Sequence, residues 1–417
     1  MKVELAYGQG HLAIEAPEGS TIIQPAHNPG LPDEKGAVLA ALASPIDARP
    51  LREWIKPADK ICIAFTDITR ATPNDRIIPW LLEHLADHPR ENIVLLNQLG
   101  THRPNTQAEL EKLLTADVVR NYRVINHEPE NDEAMVQFGT TKDGTPALIN
   151  RHLAHADVRI ITGFIEPHFF AGFSGGPKGI MPGCAALQTV MSNHGVHNIG
   201  DPRAAFGITE GNPIWEEIRE IALRVGKSFL LNVTLNEQRA ITGVFAGDLL
   251  AAHRTGFEFV RKSAMQRVKA PFDVVVTTNS GYPLDMNLYQ GVKGMSAAAR
   301  IVTEGGTIIL AAECREGVPA GSPLDKLLRS AGSSAEILTM LSTPGFVRPE
   351  QWQAQIQALI QRRAKVLVYS SLPDDVIRAA HLEPCHDISA AIRERAGTTG
   401  ARVAILPQGP LTIPYLA

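Results

Sequence analysis

The sequence predicts an α/β protein of two α/β domains. A larger N-terminal domain, residues 1–268, carries a mostly parallel, doubly wound sheet; a smaller C-terminal α/β domain spans residues 269–417, with the active site in the interdomain cleft. Three observations predict it. Short β-branched runs alternate with stretches whose apolar residues recur at helical spacing, the pattern of strand–helix–strand units. Polar clusters follow the strands, at the sheet end where open α/β sheets hold ligands. Around residues 268–271 a basic helix end meets a new apolar strand, and 417 residues exceed what one core usually serves.

Residues 3–25 read as a small antiparallel start turned at Gly8-Gln9-Gly10, and 25–34 as a proline-rich surface loop. A short helix is expected over 35–43. Residues 60–65 form the first strongly apolar strand, which runs into Thr66-Asp67-Ile68-Thr69-Arg70 and then a helix over 74–86. The plan repeats with a strand at 92–96, the junction Gly100-Thr101-His102-Arg103-Pro104, and a helix over 106–114. Thr106 caps that helix, with Glu109 at the capping-box position. A third strand at 123–126 precedes an acidic loop, and a fourth spans 158–165.

Beyond Gly183, residues 185–191 read as a helix ending in Ser192-Asn193-His194-Gly195-Val196-His197. Strands at 232–235 and 240–245 and a helix from Asp248 complete the first domain. In the second, a strand at 272–278 comes first, and Asn287–Gly294 leads into a small-residue helix over 295–302. Strands follow at 306–311, 364–369 and 402–406.

Charge is near balance, 40 basic against 44 acidic residues for a net of −4, so there is no electrostatic footprint for nucleic acid or an anionic membrane. A small molecule is the expected partner. Cys62, Cys184, Cys314 and Cys385 are scattered without a CxxC pair, which argues against a disulfide framework or a zinc–thiolate site and for the reducing cytoplasm. The N-terminus alternates like a strand, and no run approaches the ~18 apolar residues of a membrane span.

The densest chemistry lies in Glu166-Pro-His-Phe-Phe-Ala-Gly-Phe-Ser-Gly-Gly-Pro-Lys-Gly-Ile-Met-Pro-Gly183, directly after a strand. Gly172, Gly175 and Gly176 around Ser174 allow positive φ and close approach of backbone N–H groups to a guest such as phosphate. The order departs from a P-loop: Pro177 precedes Lys178, and Gly179 stands where the magnesium-binding hydroxyl belongs, so magnesium-nucleotide hydrolysis is disfavoured. Lys178 is either a nucleophilic amine that carries a covalent group or a solvated lysine on a turn. Ser174 sits in no GxSxG elbow, so no Ser-His-Asp arrangement emerges. His102 and His168, both at strand ends, suit acid/base work on opposite sides of a substrate, while Arg70 and Lys293 suit a carboxylate. A small hydroxy acid satisfies all of these.

Taken in order, the motifs Asp67-Ile68-Thr69-Arg70, Gly100-Thr101-His102-Arg103-Pro104, Glu166-Pro167-His168 through Ser174-Gly175-Gly176-Pro177-Lys178 to Pro182-Gly183, Asn193-His194-Gly195 and Tyr289-Gln290-Gly291-Val292-Lys293-Gly294 resemble the lactate racemase family, enzymes that use a nickel-pincer nucleotide. The spacings of ten residues from His168 to Lys178 and twenty-six from His168 to His194 belong to that resemblance.

The resemblance implies that Lys178 is joined by a thioamide to a pyridinium mononucleotide (pyridinium-3-thioamide-5-thiocarboxylic acid mononucleotide). Its two sulfurs and a ring carbon bind Ni(II), with His194 as the fourth ligand, a donor set that suits that ion. It implies that Asp67, Ile68, Thr69 and Arg70 contact the cofactor, that His102 and His168 are the acid/base pair, and that Arg70, Tyr289, Gln290 and Lys293 hold a 2-hydroxy acid. The expected reaction is inversion at C2 by proton-coupled hydride transfer, in a protein that transiently meets its cofactor-synthesising enzymes.

Other readings stay open on the sequence. Malate or a sugar acid inverted at C2 fits the same head group. A non-catalytic nucleotide- or phosphate-binding protein would use residues 174–176 but has no need of two histidines with Gln290 and Lys293. A zinc hydrolase built on His194 and His197 leaves Lys178 idle. Trp352 reads equally as a pocket wall or as part of a surface helix.

Overall fold

The computed structural model describes residues 1–319, 321–397 and 400–416. They fall into two compact units, one of Met1–Ala26, Gly195–Gly207 and Lys262–Ala417, the other of His27–His194 and Ile208–Arg261.

The second of these units is organised on a six-stranded sheet in the order Ile241–Asp248, Phe229–Leu235, Val158–Phe164, Ile61–Phe65, Ile93–Asn97, Arg123–Asn126. All neighbours are parallel except the first pair. Every residue of Ile61–Phe65 is buried, as a parallel strand covered on both faces requires, and this is why the sequence there is unbroken apolar. The covering helices Glu34–Ala43, Asn74–His84 and Gln107–Leu114 contribute Val38, Leu42, Ile77, Ile78, Leu81, Leu110 and Leu114 to one core. The capping box forms as expected: the Glu109 N–H donates to Thr106 Oγ1 and the Thr106 N–H to Glu109 Oε2.

From Ile61–Phe65 the chain builds outward through Ile93–Asn97 and Arg123–Asn126, then returns to the opposite side of the first strand at Val158–Phe164. That reversal is a topological switch point at the carboxyl ends of Ile61–Phe65 and Val158–Phe164, the place where open α/β sheets take their ligands. Thr66–Arg70 and the glycine-rich stretch after Phe164 both emerge there.

One expectation is corrected in this unit. The residues after Asn126 are not simply an acidic loop; they include an antiparallel hairpin, Met135–Thr140 with Pro146–Asn150. Its turn is tied by Asp143 Oδ1, which accepts from the Thr145 N–H and the Thr141 hydroxyl.

The other unit carries an all-parallel sheet in the order Glu383–Pro384, Lys365–Tyr369, Val302–Ala311, Phe272–Thr278, Val403–Leu406, Thr21–Ile22. The N-terminal hairpin Lys2–Tyr7 with Gly10–Glu15 packs Val3, Leu5 and Ile14 into the same core as Val274, Val276, Ile309 and Ile405. The helix expected over 295–302 instead spans Leu288–Ala299, capped by the Asn287 side chain, and the strand expected from 306 begins at Val302. Among the described residues no helix is long and apolar enough to cross a membrane.

Candidate active site

The junction after Ile61–Phe65 holds the first cluster. Asp67 is 2 % exposed, and its Oδ2 lies 2.8 Å from His102 Nδ1, on the junction after the neighbouring strand. The Thr69 hydroxyl donates to both Asp67 carboxylate oxygens at 3.0 and 3.1 Å, and Arg70 Nε stands 3.9 Å from Oδ1. Burial pushes the Asp67 carboxyl up, but the His102 hydrogen bond and charge, with Arg70 and Thr69, outweigh it and hold the group below its ordinary value. The carboxylate is therefore ionised and only accepts, so Nδ1 of His102 carries a hydrogen in either state of the ring, and in the neutral ring the lone pair falls on Nε2. Asn105 Oδ1 accepts the Ile68 N–H at 3.3 Å and an Asn97 amide hydrogen at 2.9 Å, which binds this junction to the next.

The glycine-rich stretch forms the second cluster. The Gly100 N–H donates to the Gly183 carbonyl at 2.9 Å, and Gln98 Nε2 donates to Thr162 O at 2.6 Å, so the His102 junction and the lysine loop are stitched to one another and to the sheet. Gly175 and Gly176 take φ of +74° and +57°, a pair that lets the chain turn into the short 3-10 helix Gly176–Gly179 bearing Lys178. Phe170 is the shared neighbour here. Its ring centroid lies 4.5 Å from that of His168 and 4.9 Å from that of His194, both edge-on, and Lys178 Nζ stands 5.7 Å from it. His168 Nδ1 accepts the Ala171 N–H at 3.3 Å, which puts the hydrogen of the neutral ring on Nε2.

His194 ends the helix Leu187–Asn193 and is buried. Its Nδ1 lies 2.9 Å from Asn193 Oδ1, while Asn193 Nδ2 donates to Glu217 Oε2 at 2.8 Å and Glu217 Oε1 accepts the Lys142 N–H at 2.7 Å. With Asn193 oriented by those bonds, Nδ1 of His194 is the donor and Nε2 carries the lone pair. Burial, reinforced by the Lys178 charge, pushes His194 down to about 3, so the ring is neutral. His197 does not share its position: Gly195 caps a separate short helix, Val196–Gly200, on which His197 is exposed. Among the described residues no group of three or more His, Cys, Asp and Glu side chains is placed to hold a metal ion.

Tyr289, Gln290 and Lys293 lie in the other unit on the helix Leu288–Ala299, where i, i+1 and i+4 spacing brings them to one partly exposed side. Trp352 is buried, and its indole N–H donates to the Tyr289 hydroxyl at 3.2 Å; the Gln353 amide donates to the Tyr289 carbonyl. Trp352 is thus no part of a surface face. Sequence reasoning passed over Asn193 as an orienting group, Phe170 and His253. The latter is fully buried on Leu249–Ala264 with Nε2 2.8 Å from Ser174 O. A histidine inside an amphipathic helical repeat gives no signal of such a contact.

Family models described as the lactate racemase N-terminal domain and the lactate racemase C-terminal domain match residues 7–207 and 267–413. The chain is 37 % identical over 383 residues to a lactate racemase of Lactiplantibacillus plantarum, covering 90 % of each. It is 33 % identical over 417 residues to a lactate racemase of Thermoanaerobacterium thermosaccharolyticum, covering 98 % of this chain and 97 % of that one. The solved structure of the lactate racemase apoprotein from Thermoanaerobacterium thermosaccharolyticum superimposes with a TM-score of 0.93 at 32 % identity over 99 % of this chain and all of that one. A Thermotoga maritima protein shares the fold at a TM-score of 0.70 and 21 % identity, over 94 % of this chain and 100 % of that one.

Proposed function

Because the chain belongs to the lactate racemase family, and is thereby a racemase, an isomerase, we propose that it inverts C2 of a lactate-like 2-hydroxy acid with a nickel-pincer nucleotide. Lys178 would carry the nucleotide through its amine, His194 would ligate the nickel, and Asp67 to Arg70 would contact the nucleotide portion.

The observation that carries this reading is His194: one neutral, buried imidazole, oriented by Asn193 to offer Nε2, with no cluster of further protein ligands among the described residues. A metal at that nitrogen needs its remaining donors from a bound group, and a lysine whose charge is felt at the same ring supplies an anchor for one. Glycines 175 and 176 pack against protein rather than a guest, since a Cβ on them would stand 2.4 Å from Asn232 Oδ1 and from His253 Cγ respectively, so the fit rests on Lys178 and His194. The residues therefore fit the group.

When bound, the group supplies an acceptor for the hydrogen that leaves C2 with its electron pair. The rest falls to side chains. Nε2 of His102 takes the proton of the 2-hydroxyl, and the Asp67 carboxylate at Nδ1 offsets the positive charge the ring then gains. His168 serves the opposite face. Its Nε2 exchanges a proton only once Nδ1 gains a hydrogen and the Ala171 N–H contact opens, so the two histidines start from opposite tautomers. Arg70, Tyr289, Gln290 and Lys293 hold the carboxylate and hydroxyl of the substrate. Loading requires transient contact with the cofactor-synthesising enzymes, and four buried free thiols suit the reducing cytoplasm.

The test is to produce the protein alongside the pincer-making enzymes, measure the mass of the Lys178 peptide and the nickel content, and incubate with single-enantiomer lactate, malate and a sugar acid. A mass increment on Lys178, retained nickel and a growing mirror enantiomer are expected. An unmodified Lys178 and no nickel, with the same enzymes activating a known racemase, overturns the proposal.

A further inference from the structure

His253 has no role in the chemistry above, yet it touches the lysine loop at its tightest point. Its side chain is 0 % exposed, and a Cβ added to Gly176 would stand 2.4 Å from its Cγ, so the imidazole lies against the backbone of the second left-handed glycine. A carbonyl only accepts, so Nε2 donates to Ser174 O at 2.8 Å and the ring is the Nε2–H tautomer. Its Nδ1 is buried and, among the described residues, has no hydrogen-bond partner. Burial, opposed by the Ser174 bond and aided by the Lys178 charge, pushes the ring down to about 4, which keeps a second cation from standing beside the lysine.

The loop is gripped from two elements. Asn232, on Phe229–Leu235, accepts the Gly176 N–H at 2.8 Å, while His253, on Leu249–Ala264, donates to the carbonyl two residues earlier. The Lys178 N–H closes the turn onto Gly175 O at 3.2 Å. Behind the imidazole, Phe257 meets it edge-on at 5.3 Å and stacks on Phe173 at 5.1 Å, so the ring has little room to shift. A buried polar atom left without a partner is costly, and an aliphatic side chain would fill the same space without that cost. What the aliphatic side chain cannot supply is the N–H that holds Ser174.

We infer that His253 is the positioning residue of Lys178, a neutral prop whose Nε2–H fixes the Ser174–Gly176 backbone and thereby aims the lysine. This rests on the reading that Lys178 carries the cofactor. His253→Phe keeps a flat ring and removes the donor; His253→Gln restores an N–H that reaches Ser174.

In the unloaded protein, trinitrobenzenesulfonate labelling of the Lys178 peptide is measured against that of exposed Lys227 in the same unit. His253→Phe is expected to change that ratio about tenfold and to lower cofactor occupancy of Lys178 in co-produced protein to a similar degree, and His253→Gln to restore both. A merely structural role would lower the melting temperature and leave ratio and occupancy alone. Wild-type labelling and loading in folded His253→Phe overturns the inference. Should that variant not fold, His253→Asn, whose amide stops short of Ser174, is set against His253→Gln by the same ratio, and equal ratios overturn it. If wild-type Lys178 carries no group, the cofactor reading falls while the labelling ratio still decides the role of His253.

Discussion

Nδ1 of His102 lies 2.8 Å from Oδ2 of Asp67, pairing an imidazole that is 26 % exposed with a carboxylate that is 2 % exposed. The two residues come from the ends of adjacent parallel strands, Ile61–Phe65 and Ile93–Asn97, so the sheet register sets their distance. The buried carboxylate is kept ionised by His102, Arg70 and Thr69, and in turn it keeps the His102 lone pair on Nε2.

Asp67→Asn tests that coupling. The amide can donate to Nδ1, which moves the ring hydrogen to Nε2 and leaves no base there. Turnover per loaded Lys178 is expected to fall about a hundredfold or more in both directions. Chiral chromatography, normalised to the loaded fraction from intact mass, reads this; unchanged turnover per loaded protein removes Asp67 from the mechanism.

Acid sensitivity follows from a different residue. His127 is 0 % exposed, with Nε2 donating to Ala185 O at 2.9 Å and Nδ1 accepting from Asn150 Nδ2 at 3.1 Å, so the neutral ring is fully satisfied. Burial pushes it down to about 4, against the Ala185 bond and the Glu128 charge. The unfolded chain binds this proton first, at about 6.5, so the stabilisation is complete above that pH and is lost as pH falls toward about 4. The loss is on the order of 3 kcal/mol. Urea midpoints between pH 7.5 and 4.5 should fall more steeply for the wild type than for His127→Gln. Parallel slopes would contradict the assignment.

The sequence revealed what local pattern encodes. The βα units, the Thr106–Glu109 capping box and the polar strand ends were legible because periodicity and cap chemistry act over a few residues. The helix Leu288–Ala299 begins earlier than its local pattern predicts because Gly291 and Gly294 look like loop residues. Gly294 is in fact a packing glycine, since a Cβ there would stand 2.2 Å from Thr278 O. The hairpin from Met135 to Asn150 was hidden by acidic residues at its start. The pairing of Thr21–Ile22 with Ala404–Ile405 joins segments nearly a whole chain apart, which no local window can see. His253 and Asn193 escaped for the same reason: their roles lie in long-range bonds to Ser174 and Glu217.

Trp352 offers a test of substrate positioning. Its indole N–H donates to the Tyr289 hydroxyl at 3.2 Å, and both side chains belong to packed helices. Trp352→Phe keeps the aromatic packing and removes one hydrogen bond to the phenol, so KM for the hydroxy acid should rise severalfold, as expected for loss of one hydrogen bond of about 1 kcal/mol, with kcat little changed. A change confined to kcat would place Trp352 in the chemical step.

Asn193 gives the sharpest separation of metal binding from cofactor attachment. Its Oδ1 orients His194 through Nδ1, and its amide is fixed by Glu217 Oε2 at 2.8 Å and Ile214 O at 3.2 Å. Groups that orient a ligating histidine in this way typically change metal affinity by about 10–100-fold when removed. Asn193→Leu fills similar volume but removes the acceptor that holds the hydrogen on His194 Nδ1, which favours the other tautomer, in which Nε2 carries the hydrogen and cannot ligate. Lys178 lies on a different element, so its modification should proceed as in the wild type while nickel is lost to a mild chelator far sooner. His194→Ala should show the same split in the extreme, a modified lysine with no retained nickel. Nickel retention equal to wild type in both variants would mean that the metal is held elsewhere, and the arrangement of Lys178, Phe170 and His194 would then need another explanation.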